Sequence, residues 1–150
     1  MTKLFNIAAL AVASTAVIHV KDASGQPAYA DAERKLPIRI HLHGPGSDIA
    51  GVVESRQSAR ALKRYQENDG KMTAASPEER LAETASDLAT LTVRFENFFY
   101  GEVDDNGDSV LQGEDLFRAV YADPALGFVT KQVVKFFGDW GNFSDASKAA

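Results

Sequence analysis

The sequence predicts an α+β fold, with an antiparallel hairpin or small sheet near the amino terminus packed against a helical carboxy-terminal portion. Three observations carry that expectation. Residues 37–43 alternate, with Ile38, Ile40 and Leu42 on one side and Arg39, His41 and His43 on the other, as in a strand with one buried face. Two helix starts follow, at Ser47 and at Ser76. The last third then carries its apolar residues at helical spacing, culminating in Leu126, Val129, Val133, Phe136, Phe137 and Trp140.

Taken in chain order, residues 4–13 suit a short helix with Leu4, Ile7, Ala8 and Ala11 on one face. Residues 16–21 suit a strand presenting Ala16, Ile18 and Val20 on one side. Asp22, Ser24, Gly25 and Pro27 supply turn chemistry, and Tyr29 opens a partner strand, so residues 15–31 read as a hairpin. Gly44-Pro45-Gly46 ends the next strand. Ser47 caps a helix with Asp48 in its first turn, running to about Asn68 with Gly70 as its stop. Ser76-Pro77-Glu78-Glu79 is a capping box, with Pro at the first helical position. Leu81, Ala85, Leu88 and Thr92 form the stripe of that second helix. Around residues 91–95 the pattern fits a helix or a strand equally well. Residues 102–108 are an acidic turn. A short helix begins near Gly113 and buries Leu116, Phe117 and Val120, and Asp123-Pro124 caps the final one. Residues 144–150 read as a frayed tail.

At 150 residues the chain is the size of one domain, and 45% apolar with 25% charged residues is ordinary for a folded protein. A net charge of −5 argues against nucleic acid or an anionic membrane as partner, since both require a basic surface. The local cluster Arg56, Arg60, Lys63, Arg64 reads as a solvated helix face. The absence of Cys excludes disulfides and thiolate chemistry. Residues 1–20 have the basic start and apolar run of an export signal, and Ala28-Tyr29-Ala30 the form of a cleavage site. Asn6, Ser14, Thr15 and His19 break the run, which favours a folded segment and leaves no membrane span of about 20 residues.

No enzyme reading survives. There is no G-x-S-x-G elbow, Ser-His-Asp set or phosphate loop, no cofactor is expected, and Gly44 to Ser47 is a helix start. His41 and His43 share a strand face without further ligands and read as a solvent-facing pair. The weak metal candidate is an EF-hand-like loop, with Asp104, Asn106 and Asp108 at its first, third and fifth positions. Ser109 stands where that loop needs Gly, and Asp115 where it needs a bidentate Glu.

The order of pieces carries a further signal. A hairpin over residues 15–31, Pro37-Ile-Arg-Ile-His-Leu-His-Gly-Pro-Gly-Ser47, two helices, then Tyr121-Ala-Asp-Pro124, Gln132-Val133 and Asn142-Phe143 make up a series. It resembles the tail assembly chaperones of long, non-contractile-tailed bacteriophages, over about residues 4–143. The resemblance implies a host-cytoplasmic protein that coats the tape measure protein for tail-tube assembly and is left out of the finished virion. It also implies a longer, frameshifted product whose extra part meets the major tail protein. It brings no catalytic residues. An apolar groove and reversible self-association into a homo-oligomer suit that role. Val133, Phe136, Phe137 and Trp140 are the candidate protein-binding residues, with core packing as the alternative for each. A permanent tail or virion component, a calcium-dependent module and an exported protein remain the competing readings.

Overall fold

A computed structural model describes residues 4–71 and 75–144. Strands β1 (Thr15–His19), β2 (Arg39–His43) and β3 (Thr92–Glu96) form one antiparallel sheet in the order β1-β2-β3. Helices α1 (Asp48–Glu67) and α2 (Pro77–Leu91) lie between β2 and β3 in sequence, while α3 (Gly113–Ala122) and α4 (Gly127–Gly138) follow them. The α+β class holds, but the sheet is not confined to the amino-terminal part. Its third strand arrives only after two helices.

β2 is central: its inward residues are apolar and it pairs with a strand on each side. Ile40 and Leu42 are fully buried, opposite Ile18 and Ala16 of β1. On the other edge Ile40 faces Phe95 and Leu42 faces Thr92, with an irregularity between His41 and Leu42. Phe95 stacks on Phe98 at 4.2 Å and touches the Phe117 ring at 4.5 Å. The core continues through Val53, Leu88, Leu91, Leu116, Val120, Tyr121, Val129 and Val133. Thr92 donates its hydroxyl proton to the Leu88 carbonyl, so the Tyr121 hydroxyl, 2.7 Å away, donates to Thr92. That bond satisfies a phenol whose pKa burial pushes far up.

Of the hairpin expected over residues 15–31 only a short turn over residues 20–28 forms, with no partner strand from Tyr29. β1 pairs with β2, and Tyr29 makes only an isolated bridge to Pro37, as Lys21 does to Pro27. Both bridging prolines lack the N–H that a ladder requires. Asp22 instead draws the chain into a tight turn, its carboxylate accepting from the N–H groups of Ser24 and Gln26. At the base of this excursion Val20 donates to Ile38, Ile38 to Ala28 and Ala28 back to Val20.

The helix starts are where the sequence places them. Ser47 accepts from the Ala50 N–H and Ser76 from that of Glu79, with Pro77 first in α2. Asn68 ends α1, and Gly70 adopts a φ of +80°. Three expectations change. Residues 4–13 make only a 3-10 turn (Ile7–Leu10), whose apolar side chains are exposed. Asp123 caps a 3-10 turn (Pro124–Leu126) ahead of α4. α4 stops at Gly138, so Trp140 lies in a further 3-10 turn (Trp140–Phe143) capped by Asp139. Of the expected frayed tail, residues 145–150 lie outside the described residues.

Candidate functional site

α1 is polar over most of its length and buries only Ala50 and Val53, both in its first two turns. Beyond them it is held to α2 by ion pairs. Arg60 donates to Asp87 at 2.8 Å, Arg64 pairs with Glu83, and Arg56 reaches Ser86 at 3.2 Å and Thr90 at 3.0 Å. The basic cluster is therefore a seam between two helices, and only Lys63 keeps the solvated position expected of the whole set.

Residues of α1, α2 and α4, with Pro45 and Trp140, line a groove of about 420 Å³. Its floor is Ala50, Val53, Leu88 and Leu91, all buried. Its walls are Phe137, Val134 and Trp140, the last two 48% and 53% exposed. Asp87, only 6% exposed, sits at the polar side: Oδ2 accepts from Arg60 and from Gln57 at 3.2 Å. Its Oδ1 has no hydrogen-bond partner and faces Arg56 at 3.6 Å as an ion pair alone.

The four binding candidates separate. Val133 is fully buried in the core, the alternative the sequence carried for it. Phe136 points to the other side of α4, edge-on to Phe143 at 5.5 Å, where it borders a hollow with Ile18 and Gln132. Gln132 ties α4 to the strand side by donating to the Lys21 carbonyl at 2.7 Å and accepting from its N–H at 2.8 Å. Phe137 and Trp140 alone share the groove. Val134, which the sequence reading missed, completes the wall. Its signal was present as the residue after Val133 in an apolar helix, but a core stripe absorbs one neighbour and not the next.

Two close approaches fix the Trp140 end. A Cβ on Gly44 would meet the Phe143 ring at 2.9 Å and the Ala13 carbonyl at 3.0 Å. One on Gly46 would meet Val12 at 3.2 Å and Trp140 at 3.5 Å. The glycines between β2 and α1 thus let the last turn lie against the start of α1.

The remaining candidates are dispersed. Asp104 turns its carboxylate to the N–H groups of Asn106 and Asp108 at 2.9 and 3.0 Å, and Asp115 pairs with Arg118 at 3.4 Å in the first turn of α3. Among the described residues no three His, Asp or Glu side chains gather where they could hold a metal ion. His41 is not solvent-facing as expected: its Nε2 donates to Glu96 at 2.9 Å and its side chain is 14% exposed. Glu96 also accepts from Arg39 at 3.0 Å, and the His41 bond foremost holds its carboxyl below the ordinary range. Among the described residues no helix is long and apolar enough to cross a membrane. In comparison with known proteins, no family model, no curated sequence and no solved structure matches this chain.

Proposed function

We propose that this protein is a phage tail assembly chaperone that binds the tape measure protein, without catalysis, by taking one face of a client helix into the groove between α1, α2 and α4. The observation that supports the reading is the groove itself: a buried apolar floor with Val134, Phe137 and Trp140 standing as a partly exposed wall. An amphipathic helix lays its apolar face into such a groove, and aromatic anchors dominate the energy of such contacts. The series of sequence pieces that resembles tail assembly chaperones supports the tape measure protein as the client. The same resemblance implies a host-cytoplasmic protein and a longer, frameshifted product whose extra part meets the major tail protein.

The test is co-expression with the tape measure protein, together with mass spectrometry of purified particles. The chaperone reading expects the client to stay soluble only with this protein, and the protein to be missing from finished particles. A stoichiometric presence in particles would make it a structural tail component instead.

A further inference from the structure

We infer that the outer edge of β1 takes up an extended acidic segment of a partner protein as an added strand. The inference does not require the tail-assembly reading, and it leaves the groove on the other side of α4 to the client. β1 is an edge strand, since β2 lies between it and β3. The register fixes where its backbone points. The Ser14 carbonyl accepts from Gly44 at 2.7 Å and the Val20 N–H donates to Ile38 at 2.9 Å, with Ala16 and Ile18 opposite Leu42 and Ile40 between them. Ala13, Val17, His19 and Lys21 belong to the alternate set, whose N–H and C=O groups turn away from β2.

Two of these four are already paired. The Ala13 N–H donates to the Phe143 carbonyl at 2.6 Å. The Gln132 amide donates to the Lys21 carbonyl and accepts from its N–H, as the backbone of a neighbouring strand does. Between these two plugs, the outward groups of Val17 and His19 have no partner among the described residues. They are two N–H and two C=O groups, the set that three residues of an antiparallel strand satisfy. Main-chain bonds of this kind carry the affinity when a peptide joins a sheet edge. The open stretch runs along a hollow of about 600 Å³ between β1 and α4, floored by Val17, Ile18 and Phe136.

Charge decides the occupant. Lys21 and Lys135 border the hollow, both are exposed, and neither ammonium group pairs with a carboxylate among the described residues. Asp139 also borders it, but turns its carboxylate to the Gly141 N–H at 3.0 Å. The lining therefore keeps a positive excess on a chain whose net charge is −5. Lysines beside an open edge keep unwanted strands from pairing there, and complementary charge selects the one that is admitted.

The probe is the peptide acetyl-Glu-Val-Glu-Val-Glu-amide, titrated into the full chain while backbone amide signals are followed by NMR. The Val17 and His19 signals should shift, and their hydrogen exchange should slow. Neither should respond to the matching lysine peptide, nor to the glutamate peptide N-methylated at every residue. Lys21→Glu combined with Lys135→Glu should weaken binding at least about tenfold, with circular dichroism unchanged. If that variant does not fold, the lysine peptide on wild type decides the matter of charge. Silence of both amides at millimolar glutamate peptide would overturn the proposal. So would an equal response to the lysine or the methylated peptide, or a folded double variant that binds like wild type. Slow exchange of both amides without peptide would overturn it too. Its loss on dilution would give the edge to a second copy, and its loss in a chain ending at Ser144 would give it to residues 145–150.

Discussion

Gly44 shows how closely the last turn is fitted to the rest of the molecule. Its missing side chain is the space occupied by the Phe143 ring, which is itself almost fully buried. Adding a methyl group there pushes a core ring against backbone, and overpacking of this kind costs about 1–3 kcal/mol. Gly44→Ala should therefore lower stability by that amount in denaturant melts, whereas Gly51→Ala, where a Cβ meets nothing within 4 Å, should not. Glu96 gives a second expectation at this scale. Its folded pKa is depressed by His41 and then Arg39, so its contribution is present above the unfolded value near 4.5 and is lost as pH falls through the folded value. Melting temperature should drop on acidification below that value, and Glu96→Gln should reduce the dependence. Asp22, also depressed by its turn hydrogen bonds, leaves a residual slope in the variant. An unchanged acid profile in Glu96→Gln would remove the His41–Glu96 bond from the account.

Among the elements, those legible in the sequence are the ones whose signals are local. The alternation over residues 37–43 gave β2, and Ser47 and Ser76 gave α1 and α2, because a cap and its N–H partners lie within three residues. Ser76→Ala should cost about 0.5–2 kcal/mol, read as a lower denaturant midpoint at unchanged slope. A midpoint equal to wild type would mean that Pro77 and the acidic first turn start α2 without the cap. What was not legible depends on distant partners. β1 could be recognised as a strand, but its neighbour lies beyond an excursion of two bridges, and a local turn suggested a nearer one. The arginines of α1 read as solvated because Asp87 and Glu83, their partners, are some twenty to thirty residues away. The aromatic stripe of α4 was legible as apolar but not as divided, since Asp139 stops the helix before Trp140 and turns that ring into the groove wall.

For the whole molecule, the seam and the groove are two consequences of one arrangement. α1 is docked to α2 by charged side chains over most of its length and by apolar ones only at its start. The apolar start of α1, the facing side of α2 and α4 line the groove. The central claim is that a helical client fills it. The most direct measurement is the soluble fraction of the tape measure protein co-expressed with wild type, with Val134→Glu in the groove wall, or with Val52→Glu on α1 outside it. Val134 and Val52 are similarly exposed, at 48% and 54%, so both variants are expected to fold. The client should remain soluble with wild type and Val52→Glu and be lost to the insoluble fraction with a folded Val134→Glu. A client that stays as soluble with Val134→Glu as with wild type would contradict the claim.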